Sequence, residues 1–251
     1  MTRHLIIDLG NTAFKIAVFQ NSILVEKTSI DGEINFRIHQ SELLLSDIFQ
    51  KYKIEKAIIS SVIHEDKLKK IISFLPFPPI LLDNCQLPVQ INYNKTTDLG
   101  KDRIANAVAL DALFPNQAVL GIDMGTCIKY DFVDQNTFQG GIISLGYKMR
   151  LQALHHFTDK LPLFEPVSAP KPAFLGESTQ MCMQIGTYEA VWAETTYFIE
   201  KFQTEKKIKH FVFTGGEAKY FENRIKSMIF AVVQEDLTLI GLHKILIHNH
   251  E

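Results

Sequence analysis

"LGIDMGTCIKYDF", Leu120 to Phe132, sets an acid, a glycine and a threonine between two apolar runs. The pattern recurs near the N-terminus as "LIIDLGNTAFKIAVF", Leu5 to Phe19. Each stretch reads as strand, tight turn, strand, because short runs rich in Ile, Val and aromatics break at turn-forming residues. Asp8 and Asp123 therefore sit at the tips of otherwise buried hairpins. Asp-x-Gly can simply make a turn, the acid accepting backbone N–H bonds and Gly supplying the conformation. A turn of glycine and small polar residues also exposes successive N–H groups that hold phosphate oxygens. An adjacent Asp can hold Mg²⁺ directly or through its waters. On this reading Asp8, Gly10, Asn11 and Thr12 form a phosphate-and-metal turn, and Lys15 on the next strand faces a phosphate. Asp123, Gly125 and Thr126 form its counterpart across a cleft.

Outward from the hairpins, the elements follow a similar order in both halves. Ile23–Ser29 is a third strand. Leu44, Leu45, Ile48 and Phe49 have helical spacing and predict a helix from Ser41 to Tyr52. Ala57–Ser60 is a strand, "SVIHEDKLKKIISFL" a second helix, and "PPILLD" another strand. In the second half Ala118–Ile122, Cys127–Val133 and Phe138–Ile143 are strands. Helices are expected around Leu151–Phe157 and from about Ser178 to Phe202, then a strand in "HFVFTGG" and helices in "EAKYFENRIKSM" and "LTLIGLHKIL". The turn signal "FPN" at Phe114–Asn116 marks a boundary, giving domains 1–115 and 116–251. The expected fold is α/β, two duplicated domains fused in one chain, with a site in the central cleft.

The chain has 251 residues, 46% apolar and 22% charged, which is ample for a core of one or two domains. A net charge of −2 offers no diffuse basic surface for nucleic acid. Cys85, Cys127 and Cys182 are odd in number and widely spaced, so neither a disulfide framework nor a zinc site is expected. No apolar run is long enough to span a membrane, and the N-terminus lacks the features of a signal peptide. A cytoplasmic protein is the expectation. Cys127 reads as a small core residue, His155 and His156 as surface residues, and His248 and His250 as part of a polar tail. Trp192 and Tyr197 read as core or dimer contacts. No P-loop, dinucleotide-binding glycine turn or protein-kinase motif is present.

A third motif lies between the hairpins, "NYNKTTDLGKDRIANAVAL". Gly100 closes a loop and Lys101 to Phe114 reads as a helix. Asp102 suits the positive end of that helix as a plain structural acid. It is equally suited to take a proton from an attacking hydroxyl. Arg103 beside it can grip an anion as a planar fork.

Together these residues resemble type III pantothenate kinase, a family of the actin-like (ribonuclease H-like) superfamily of sugar kinases and ATPases. "DLGNTAFK", "GKDR" and "DMGT" match its D-x-G-N-T-x-x-K, G-x-D-R and second D-x-G-T motifs. "GGIISLG", "TDKLP", "GESTQMCMQIG", "FTGG" and "LTLIGL" follow in the family's order, so the likeness covers nearly the whole chain. It implies ATP-dependent phosphorylation of pantothenate on its terminal hydroxyl, the first step toward coenzyme A. It also implies that Asp8, Leu9, Gly10, Asn11, Thr12, Ala13, Phe14 and Lys15 form the first ATP-binding turn, with Asp8 near Mg²⁺ and Thr126 also on ATP. Asp102 would be the proton acceptor. Tyr93, Gly100, Lys101, Asp102, Arg103 and Thr179 would contact pantothenate, Arg103 through its carboxylate. Asp123 would bind a monovalent cation, K⁺ or NH₄⁺. A homodimer is implied, with the long helix after Thr179 at its interface. Two positions depart from the pattern: Lys129 stands where many members have Thr, and Leu145 replaces a Pro before Gly146. The competing readings are a sugar kinase of the same superfamily and a non-catalytic regulatory protein on the same fold.

Overall fold

The computed structural model describes residues 2–168, 170 and 175–250. They fall into two compact units. One holds the chain up to Gln90, Asn94–Ala109 and everything from Leu237; the other holds Ile91–Tyr93 and Leu110–Asp236. Contacts therefore do not divide at a single cut near residue 115. The helix in "LTLIGL" belongs with the first half, because its apolar side chains cover that half's sheet.

In the first unit, β1 (Arg3–Leu9), β2 (Ala13–Gln20) and β3 (Ile23–Asp31) form an antiparallel meander. Helix α1 (Ile34–Lys51) leads to β4 (Lys56–Ser61), and α2 (Glu65–Ile72) to the two-residue β5 (Ile80–Leu81). The sheet order is β3-β2-β1-β4-β5, with β4 parallel to β1 and β5 parallel to β4. Leu5, Ile7 and Leu9 pack with Ile38, Leu45 and Ile48 of α1 and Ile71 of α2. The opposite face of β1 carries His4, which meets His243 of the C-terminal helix. Both faces are covered, so β1 reads as an unbroken apolar run rather than an alternating one. Edge strand β3 alternates instead. Helix α1 begins seven residues before the position expected from its apolar spacing. Ile34, Arg37, Ile38 and Ser41 extend the inward face, and the buried arginine and serine break the hydrophobic signal.

The two-residue β6 (Gln90–Ile91) precedes α3 (Lys101–Leu113). The second unit repeats the first meander with β7 (Val119–Met124), β8 (Cys127–Asp134) and β9 (Thr137–Leu145). Gln135 and Asn136 both have positive φ, as a two-residue type I′ hairpin requires. Helices α4 (Tyr147–His156) and α5 (Thr179–Lys206) follow, then β10 (His210–Thr214), α6 (Glu222–Lys226) and β11 (Ala231–Val233). The order β11-β10-β7-β8-β9 mirrors the first sheet, again with two parallel strands beside the meander; β6 adds to the far edge. Leu120, Ile122, Tyr130, Phe211 and Phe213 form this core with Val191 and Ile199 of α5. "EAKYFENRIKSM" is not one helix: a 3₁₀ turn at Ala218–Phe221 precedes the short α6. Strand β11 had no sequence signal, since it is three residues long, with Ala231 half-buried and Val232 and Val233 exposed. The chain ends in α7 (Leu237–His248), packed in the first unit.

The repeat extends to single residues. Strands β2 and β8 each have eight residues, the same alternation of buried and half-buried positions, and lysine in third place. Each carries a bulge between its sixth and seventh residues, Val18/Phe19 and Phe132/Val133.

Candidate active site

The first hairpin turns at residues 10–12. Gly10 N–H donates to Ala13 O at 3.0 Å, and Asn11 and Thr12 are exposed at the tip. Asp8, near the end of β1, is the cross-strand partner of Lys15 and the parallel neighbour of Ser60. Asp8, Ala13 and Lys15 are half-buried, whereas Leu9 and Phe14 are wholly buried in the core. Those two can offer a ligand only backbone. The turn is held from behind by Arg37, which carries no motif. Its guanidinium donates to Gly10 O at 2.8 Å and Asn11 O at 2.9 Å, and lies 4.5 Å from the centre of the Phe14 ring. Burial lowers its pKa, opposed by the charge of Asp31.

The "GKDR" motif forms the first turn of α3. Asp102 Oδ1 accepts the Arg103 N–H at 2.9 Å. The same oxygen would lie 2.7 Å from a Cβ at Gly100, so this glycine keeps space for the carboxylate. Lys101 donates to Asp83 across 2.5 Å. Arg103 is only 4% exposed. Any anion it grips must itself leave water, which strengthens the pairing but demands a close fit.

In the second unit Asp123 lies one residue before the end of β7, opposite Lys129 of β8. Its Oδ2 accepts from Lys129 Nζ at 2.7 Å, and the two side chains are 13% and 15% exposed. Thr214 of β10 lies beside it in parallel register, which brings "FTGG" to this turn. Gly215 has φ +91, and a Cβ there would lie 2.4 Å from Asp123 Oδ1. Gly146 packs equally close to the turn's backbone, 2.3 Å from Gly125 O for an added Cβ. Its N–H donates to Thr126 O at 3.1 Å, and Thr126 is exposed. Glu217 follows the two glycines: its N–H donates to Met124 O at 2.8 Å, while Oε2 accepts the Tyr147 N–H at 2.7 Å. Burial raises its pKa, opposed by the N–H groups of Tyr147 and Lys148. The order of elements gives no hint of Glu217 or Arg37, since each acts through long-range contacts.

Tyr93 follows β6, its ring centre 6.1 Å from that of Phe138. Thr179 is exposed at the start of α5, where Ser178 Oγ caps the helix by accepting the Met181 N–H. Cys127 is half-buried beside Leu145 rather than in the core, and all three cysteines are free thiols. His155, exposed, has Nδ1 2.7 Å from Leu161 O. Tyr197 is exposed, and Trp192 packs at the rim of the second core. Among the described residues no helix is long and apolar enough to cross a membrane.

Residues 4–201 match a sequence model described as type III pantothenate kinase. Proteins named type III pantothenate kinase from Bacteroides fragilis and Cytophaga hutchinsonii are 36% and 34% identical to the chain. The match covers 98% of the chain in both, and 98% and 99% of those proteins. Solved structures resemble it at lower identity. An inorganic polyphosphate/ATP-glucomannokinase from Arthrobacter aligns over 99% of this chain and all of its own, with a TM-score of 0.53 at 12% identity. The ethanolamine utilization protein EutJ from Carboxydothermus hydrogenoformans gives 0.57, also at 12% identity, over 98% of this chain and 90% of its own. These likenesses carry the fold.

Proposed function

The chain belongs to the type III pantothenate kinase family, and from that premise we propose how its residues transfer the γ-phosphoryl group of ATP to the terminal hydroxyl of pantothenate. The observation carrying the proposal is the intact set of family acids: Asp8 and Asp123 near the ends of β1 and β7, each in register with a lysine, and Asp102 in the first turn of α3. Asp102 accepts the proton of the primary alcohol as its oxygen attacks the γ-phosphorus and the bond to ADP breaks. Phosphoryl transfer asks mainly for positioning and charge neutralisation. The backbone N–H groups of Asn11 and Thr12, with Lys15 and Thr126, supply these for the phosphates, since the Gly10 N–H is held by Ala13 O. Tyr93, Gly100, Lys101, Arg103 and Thr179 orient pantothenate, Arg103 through its carboxylate.

Among the described residues there is no cluster of three or more His, Cys, Asp or Glu groups able to hold a metal. A single carboxylate at Asp8 nevertheless fits Mg²⁺, which keeps several waters and draws other ligands from phosphates. When bound, it neutralises charge on the transferring group. A monovalent cation at Asp123 does not fit the residues present, because Lys129 Nζ already lies against that carboxylate. We infer a cytoplasmic homodimer, supported by the free thiols and by exposed apolar side chains at Ile143, Leu145 and Tyr197. Light scattering is expected to give twice the chain mass; a monomer at micromolar concentration would contradict this. The reaction itself is tested by Mg²⁺-dependent ADP release with pantothenate against hexoses and acetylated hexosamines. A chain that turns over a sugar and ignores pantothenate would be a sugar kinase of the same fold.

A further inference from the structure

We propose that Lys129 is a built-in monovalent cation: its ammonium does for Asp123 and the bound nucleotide what a K⁺ or NH₄⁺ ion would do there, so the enzyme works without one. The inference rests on the kinase reading above. Three observations carry it. The ammonium is 2.7 Å from Asp123 Oδ2, and both side chains are largely removed from solvent, so the charge is fixed rather than dispersed in water. Gly215 presses on the other carboxylate oxygen, leaving one face of Asp123 closed by backbone and another by lysine. The internal repeat gives the pair a counterpart. Lys129 is the third residue of β8 opposite Asp123, as Lys15 is the third residue of β2 opposite Asp8. The second hairpin thus holds the same acid–lysine pair as the first, with identical strand length and bulge position.

The chemistry is consistent. A lysine ammonium has the charge of K⁺, three donors for carboxylate and phosphate oxygens, and a tether that makes its local concentration independent of the medium. A second cation at the same carboxylate would meet like-charge repulsion at short range. Lys129 is therefore a binding residue for the nucleotide, with a role different from the proton acceptor's.

The test compares wild-type protein, Lys129→Thr and Lys129→Arg in K⁺-free buffer and in about 100 mM K⁺ or NH₄⁺, with choline matching ionic strength. Two readouts are taken, ADP release with pantothenate and calorimetric affinity for MgADP. Wild type is expected to change by less than about twofold between media, and K129T to lose at least about tenfold in both readouts without K⁺ and regain it with K⁺ or NH₄⁺. K129R, which keeps the charge, is expected to remain indifferent to K⁺. The proposal is overturned if wild type needs K⁺ for activity or nucleotide affinity, or if K129T matches wild type in K⁺-free buffer. Should K129T not fold, the wild-type and K129R titrations decide alone. If no pantothenate-dependent ADP appears in any medium, the kinase reading fails, while the MgADP affinities still report on Lys129.

Discussion

Arg37 carries no motif, yet it holds the backbone of the first Asp-x-Gly turn, which we propose binds the phosphates. Its two terminal nitrogens bond the carbonyls of Gly10 and Asn11, and its guanidinium lies over the Phe14 ring. Its Nε is buried without a partner among the described residues, so both bonds depend on the terminal nitrogens. Hydrogen bonds to a charged group are worth about 1.5–3 kcal/mol each, and about 1.4 kcal/mol is a factor of ten in binding. Arg37→Met is therefore expected to raise KM for ATP by about tenfold or more, leaving KM for pantothenate near wild type. Arg37→Lys, with a point charge in place of a fork, should recover only part of the loss. Equal damage to both KM values would mean that Arg37 only supports the fold. The motif residues were legible because turn chemistry is local: glycine, a small amide or hydroxyl, and an acid in fixed order. Arg37 was not, because its role depends on α1 crossing behind β1 and β2. Within the motif, sequence order could not separate Leu9 and Phe14, which face the core, from neighbours at the surface.

The C-terminal helix shows what a hydropathy pattern leaves open. "LTLIGL" announces a helix but not which sheet it covers. Two contacts pin α7 in the first unit. Gly241 approaches α3 so closely that a Cβ would lie 1.8 Å from Ala105 O. His243 Nε2 lies 3.0 Å from His4 Nδ1, with its ring stacked on Phe19 at 4.3 Å. Burial, reinforced by His4 and Lys244, depresses the His243 pKa from 6.5 to about 4. His4 is lowered too, first by burial and then by the charge of Lys56. The native state therefore keeps His243 neutral while the unfolded chain can protonate it. Its contribution is full above pH 6.5 and fades as pH falls toward 4. The loss is about 2–3 kcal/mol. Urea unfolding of wild type is expected to show this decline, and His243→Gln a flatter profile over the same window. Parallel slopes would remove the histidine pair as its cause. The start of helix α1 was misplaced because buried Arg37 and Ser41 disguised it, and strand β11 went unassigned because three residues, two of them exposed, carry no periodicity.

Across the molecule, the strand order 3-2-1-4-5 recurs as 9-8-7-10-11, down to the bulges in β2 and β8. The duplication was legible in the two Asp-x-Gly hairpins because each central hairpin must carry the same buried pattern. The division of the chain was less so, since α7 returns to the first unit. The repeat also makes the two acids chemically comparable: each lies one residue before the end of a central strand opposite a lysine, whereas Asp102 sits in the first turn of a helix. That difference supports its assignment to the alcohol rather than the phosphates. The most direct measurement is steady-state turnover of ATP with pantothenate by wild type and Asp102→Asn, with circular dichroism to verify the fold. Wild type should release ADP only when pantothenate is present, and Asp102→Asn should lose about 10²–10⁴-fold in kcat with KM for ATP little changed. Wild-type protein that releases no pantothenate-dependent ADP, or an Asp102→Asn variant that turns over normally, would contradict the account.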